Sequence, residues 1–287
     1  MQKNVLVFGA TGQQGGAVTR ALIKNGHRVV GLTRNANSEK AKALIGTGVD
    51  LKEGNLHNAS DLINLMKEVD AVFALTTPFE EGIEKEIEQG ITVAEAAKEA
   101  GVQHFVFNSV SDADRNTGIP HFDSKFKVEQ RIIELGLPYT IIAPVYFMDN
   151  LVSPWTMEMV KTGNISTAMP NDRMLQQIAV ADIAQIVSAV ISRSESFIGK
   201  RINIAGEELT GNQMVEILNR VTGKRFVFEG FSPDYLRESS EDLAIMYEWF
   251  DRVGYSADIE KLKLDFPEVT FTSFEEYVRG IDWSFME

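Results

Sequence analysis

The chain has 287 residues, a formal net charge of −13, 44% hydrophobic and 24% charged residues, and no cysteine. That length sustains one large domain or two small ones with a well-buried core, and the missing thiols exclude disulfides, thiolate catalysis, zinc–thiolate centres and thiol-based redox sensing. An acidic excess without a Lys/Arg cluster argues against direct nucleic-acid binding; no apolar run approaches the roughly 20 residues of a membrane span, and the first strand begins at once, so a cytoplasmic protein with no membrane contact and no metal site is expected.

Val5 to Phe8 read as a strand buried on both faces, and Gly9, Gly12 and Gly15 then lead into a helix whose Val18, Ala21 and Leu22 recur at helical spacing. In that strand, turn and helix context the glycines make a dinucleotide-binding fingerprint. Gly9 permits the tight turn, Gly12 lets N–H groups approach a pyrophosphate, and Gly15 lets the helix pack on the strand. The phosphates then lie at the positive end of the helix. The first 38 residues hold Lys3, Arg20, Lys24, Arg28 and Arg34 and no acid, which suits an anionic ligand. The second strand, 28–33, ends in Arg34 rather than in a carboxylate for a ribose diol, so NADP is favoured over NAD.

Val49 to Lys52 read as a third strand, after which Asn58 caps a helix with Leu62, Ile63, Met66 and Val69 on one face. Ala71 to Leu75 form a fourth, whose carboxyl end runs into Thr76 and Thr77; with Asn55 these line the cleft where ligands of open parallel sheets gather. A helix on the stripe Ile83, Ile87, Ile91, Ala94 and Ala97 ends at Gly101. The fifth strand, 105–107, is followed by Asn108, Ser109 and Ser111, then by a helix opening at Pro120 on which His121 and Lys125 share a face. With a sixth strand at 139–143 this alternation predicts an α/β fold: a doubly wound parallel sheet of the Rossmann type over residues 1–145. Residues 146–287 are expected to form a smaller C-terminal α/β lobe, packed intimately on the first. It begins with an irregular, Met-rich stretch that suits either pocket lining or packing. Further on, 178–184 read as a strand passing into a helix with Asp182 at its start, 201–204 as a strand, and Thr210 to Gln213 as a capping box.

Gly9 to Gly16, Thr33-Arg34-Asn35, His121-Phe122-Asp123-Ser124-Lys125, Pro144 to Phe147 with Asn150, and Val180 to Ala184 together resemble the NmrA-like proteins, which are atypical short-chain dehydrogenase/reductases. The resemblance runs over essentially the whole chain. It implies Gly9, Thr11, Gly12, Gln13 and Gln14 around the pyrophosphate, Arg34 at the 2′-phosphate, Asn55 and Leu56 beside the adenine, and Thr76 and Thr77 near the nicotinamide half. It also implies Lys125 on the ribose hydroxyls and Tyr146, Phe147 and Asn150 over the nicotinamide. Relatives often carry further basic residues where this chain has Ser38 and Glu88, which implies weaker phosphate affinity.

The superfamily's usual acid is a tyrosine four residues before the lysine, and here that position is His121. A histidine titrating near pH 6.5 can donate a proton, so His121 and Lys125 are the candidate catalytic pair. Two functions follow: an NADP(H) redox-state sensor or regulator with a protein partner and little or no catalysis, or an NADPH-dependent oxidoreductase acting on a quinone-like or aromatic molecule. The missing tyrosine favours the sensor.

Overall fold

The computed structural model of the chain describes residues 1–286. It forms two compact units: Met1–Asn116, Pro120–Ala143 and Ile183–Ile202 make the first, while Thr117–Ile119, Pro144–Asp182 and the chain from Asn203 onward make the second. The first-unit elements are read most simply from their strands: β1 (Asn4–Val7), β2 (Arg28–Thr33), β3 (Val49–Glu53), β4 (Ala71–Leu75), β5 (His104–Asn108), β6 (Tyr139–Pro144) and β10 (Lys200–Ile204). Their order is β10-β6-β5-β4-β1-β2-β3. β1 pairs parallel with β2 on one side and β4 on the other, so the winding reverses between β1 and β4. β10 runs the same way as β6, with Gly199 N–H donating to Tyr139 O at one end and Val145 N–H to Ile204 O at the other.

This sheet is buried on both faces, which is why Val5, Leu6, Val7, Val72, Phe73, Phe105, Val106, Ile141 and Ile142 form unbroken apolar runs. The doubly wound Rossmann-type sheet expected from the sequence is therefore present. The division of the chain is less simple than a cut at residue 145. The helix Val180–Ser192 lies mostly in the first unit, because the strand that follows it, β10, is pinned to the edge of β6.

The helix Ile83–Ala100 follows its apolar stripe only in part. Ala94 and Ala97 are buried as expected, but Ile83, Ile87 and Ile91 are half-buried, and in the first half of the helix the sealed positions are Glu86, Gly90 and Val93. Its glycine is the cause: a Cβ on Gly90 would stand 2.5 Å from Val128, so the helix Pro120–Glu134 packs against bare backbone there.

The second unit holds a three-stranded sheet, β11 (Glu207–Thr210), β9 (Met174–Ile178) and β7 (Tyr146–Phe147), and a parallel pair of β12 (Val227–Gly230) with β8 (Asn164–Thr167). Its core gathers Met148, Leu151, Val160, Ile165, Leu218, Phe226 and Phe274. The helix Gly211–Thr222 opens with the expected capping box between Thr210 and Gln213. Among the described residues no helix is long and apolar enough to cross a membrane.

Candidate functional site

At the carboxyl end of β1, Gly9 turns the chain at φ +62°, a left-handed conformation that glycine adopts without strain. Gly12 N–H donates to Gly9 O at 2.8 Å, and the helix Gln13–Lys24 starts at once. A Cβ on Gly15 would lie 2.3 Å from Gly9 O, so only glycine lets this helix sit so close to the turn. The helix start has no side-chain cap and no acid in its first turn. Its leading N–H groups are thus the donors that a pyrophosphate needs, in the setting where anions bind helix N-termini. The Gln14 side chain donates to Asn108 Oδ1 at 2.6 Å, so what Gln14 offers a phosphate is its backbone N–H.

Arg34 follows β2 and is exposed, yet it does not stand alone. Its Nη1 and Nη2 donate to the two carboxylate oxygens of Glu80 at 2.6 and 3.1 Å. Asn55 and Leu56 are placed differently from each other: Asn55 Oδ1 accepts from the N–H groups of His57 and Asn58, closing a turn, while Leu56 packs on the core.

Beyond β4 a buried polar knot forms. Lys125 Nζ donates to Thr76 O at 2.9 Å and to Glu86 Oε1 at 2.7 Å. Glu86 also accepts from Thr76 Oγ1 at 3.1 Å and from Ser124 Oγ. Thr77 caps the short helix Pro78–Glu81 through Phe79 N–H. His121 and Lys125 share a helix face as the spacing implies, and both are buried, but they face different neighbours. His121 lies between rings, 5.9 Å from Phe79 and 4.8 Å from Phe122 by centroid.

In the second unit a cleft with about 630 Å³ of empty space, part of it open to solvent, is lined by Met148, Met159, Met169, Met214, Leu175 and Phe228 with Tyr146, Asn150 and Arg173 among its polar groups. The Met-rich stretch after Tyr146 therefore does line a pocket. Tyr146 is hydrogen-bonded to Asn150 and to Tyr247, and burial pushes its phenol above the ordinary tyrosine range despite those bonds. Tyr247 is pushed further up, first by burial and then by Tyr146. Phe147 is half-buried on β7. Asp182 is a buried structural acid that accepts from Thr272 N–H at 2.7 Å and Thr272 Oγ1 at 2.8 Å.

Glu80, Glu86 and Tyr247 were not among the residues singled out by the sequence. Glu86 had a signal: it extends the sealed stripe Gly90, Val93, Ala97 by one helical turn, and an acid on a buried stripe needs a cation. Tyr247, on the helix Glu241–Arg252, had none.

A parallel sheet that reverses at β1, with a glycine turn and an uncapped helix at that point, defines a dinucleotide-binding protein of the Rossmann class. A model of the NmrA-like family matches residues 1–278, and an NmrA-like family domain-containing protein of Dictyostelium discoideum is 31% identical over 310 residues, covering 99% of either chain. The chain belongs to the NmrA-like family. Among solved structures, the triphenylmethane reductase of Citrobacter sp. complexed with NADP(H) is similar with a TM-score of 0.81 at 22% identity, over 96% of this chain and 99% of that one. NmrA, a negative transcriptional regulator, in complex with NADP gives 0.80 at 23% identity over 98% and 95%. The chain thus shares its NAD(P)-binding fold with one protein that is a reductase and another that is a regulator.

Proposed function

We propose that the chain binds NADP(H) at the glycine turn of its first unit and is an NADPH-dependent reductase of a quinone-like or aromatic molecule held in the cleft of its second. What supports the reductase is the cleft itself. Its methionines adapt to a flat apolar guest, and Tyr146 enters it as a neutral phenol braced by Asn150 and Tyr247. A phenol is protonated at neutral pH with or without that upward shift, which weakens it as an acid, so the part open to Tyr146 is to donate a hydrogen bond to a carbonyl oxygen as that oxygen gains charge. Bound NADPH would supply the hydride. The glycine turn would hold the pyrophosphate, Arg34 the 2′-phosphate, and Lys125, with two of its three N–H donors engaged, would direct the third to the ribose hydroxyls.

The test is steady NADPH consumption over a panel of quinones and aromatic electrophiles. Tyr146→Phe is expected to lower kcat by about 10²-fold with KM for NADPH unchanged, as for a donor acting only in the transition state. If His121→Ala does this instead, the histidine is the acid. Tight NADPH binding without turnover of any acceptor would favour the second reading, an NADP(H)-state sensor with a protein partner. That reading draws on one observation: the superfamily's tyrosine position holds His121, enclosed by Phe79 and Phe122.

A further inference from the structure

The carboxylate on Arg34 comes from far along the chain. Glu80 sits 46 residues on, in the short helix Pro78–Glu81, which Thr77 caps at one end and Gly82 closes at φ +89°. The first 38 residues contain no acid, and the fold supplies this one in space. Its geometry is informative. Two carboxylate oxygens on the two terminal nitrogens of a guanidinium is the fork that arginine also offers a phosphate, so Glu80 and a 2′-phosphate would claim the same donors. Neighbouring acids are engaged elsewhere: Glu81 lies 3.5 Å from His57 and accepts from Gln89 at 3.1 Å, and Glu53 accepts from Ala36 N–H at 3.1 Å.

We infer that Glu80 is a specificity-determining residue: an internal anion that a 2′-phosphate must displace from Arg34, which narrows the preference for NADP(H) over NAD(H). The inference rests on the reading of Arg34 as the phosphate ligand. A ribose without the phosphate leaves the Arg34–Glu80 pair intact, so NAD(H) meets no such competitor. NADP(H) must break the pair and then tolerate the displaced carboxylate nearby. Both side chains are well exposed, at 70% and 52%, and an ion pair so placed is weak enough for a dianionic phosphate to win.

The experiment is calorimetry on the full chain with NADPH, NADH and adenosine 2′,5′-bisphosphate. Glu80→Gln is expected to tighten NADPH and the bisphosphate by about 3- to 10-fold and to leave NADH within about twofold, with the gain shrinking in about 0.5 M salt. Glu81→Gln, which removes an equal charge that is not on Arg34, should change all three by less than about twofold. An unchanged NADPH-to-NADH ratio in Glu80→Gln, or an equal gain in Glu81→Gln, overturns the role of Glu80. Arg34→Ala separates the two layers. Equal losses for NADPH and NADH would remove Arg34 from the phosphate site; a loss confined to NADPH, beside an inert Glu80→Gln, would sink the Glu80 inference alone.

Discussion

Glu86 and Glu129 are both buried carboxylates of the first unit, and each is met by a serine hydroxyl and one cation: Ser124 and Lys125 for Glu86, Ser109 and Arg201 for Glu129. At Glu129 the cation is wholly committed. Arg201 gives Nε to Glu129 at 2.8 Å, Nη2 to Val110 O at 2.9 Å, and Nη1 to Asp114 at 3.3 Å. At Glu86 it is not, because Lys125 reaches Thr76 O and Glu86 and still has a donor in hand. A guanidinium fixed on every side is a structural rivet, whereas an ammonium aimed by a carboxylate with one N–H unclaimed is poised for a ligand. Burial raises the Glu129 carboxyl above its ordinary range even though Arg201 opposes the shift, which marks how much that rivet has to offset.

The largest effects should come from removing either cation. Arg201→Leu and Lys125→Met each strand a buried carboxylate and are expected to cost about 3–5 kcal/mol in urea unfolding. Only Lys125→Met should also weaken NADPH, by about 10-fold or more, measured on the folded fraction. Equal weakening by both variants would erase the distinction between the two sites.

Acid titration sharpens the comparison once two histidines are allowed for. His104 is buried, with Nε2 on Thr140 Oγ1 at 2.8 Å and Nδ1 unpartnered, and burial drops its value from 6.5 to about 4. The unfolded chain therefore takes up this proton first as pH falls. Stability from His104 is fully present above about pH 6.5 and is lost on the way down to about 4, on the order of 3 kcal/mol. His104→Gln should reduce that slope and leave the rest to His27, whose ring burial and Lys3 also push down, and to the carboxylates; an unchanged profile would show that the His104 ring is not held neutral.

The smallest change is Glu86→Gln, which keeps hydrogen-bonding atoms for Thr76 and Ser124 but not the charge that aims Lys125. Because it still leaves the Lys125 ammonium buried without its counter-charge, it should cost about 3 kcal/mol, the lower end for breaking a buried pair, and loosen NADPH only a few-fold. If it matched Lys125→Met in affinity, Glu86 would be positioning Lys125 more strictly than two hydrogen bonds require.

How much of this was legible in the chain depended on distance along it. The glycine turn could be read because Gly9 and Gly15 answer to their nearest neighbours, one through φ and the other through backbone atoms six residues away. The strands of the sheet could be read because burial on both faces leaves no polar alternation to confuse. The partners of the charged groups could not. Lys125 finds Glu86 39 residues back, and Arg34 finds Glu80 46 residues on, pairings that only the order of strands decides. The isoleucine half of the stripe on the helix Ile83–Ala100 misled for a related reason, while Ala94 and Ala97 are buried as expected: isoleucines mark an apolar face, but a glycine decides which face comes closest.

The return of β10 to the sheet bears on how the protein can be divided in the laboratory. Expressing residues 1–145 by themselves would omit Lys200–Ile204 and leave β6 as an outer strand, although Ile141, Ile142 and Ala143 have no exposure in the intact chain. Its unpaired backbone groups would form a ready template for a second molecule, so a fragment that contains every element of the nucleotide fingerprint would be prone to edge-to-edge association and aggregation. A faithful nucleotide-binding fragment must splice Ile183–Ile202 back onto that edge.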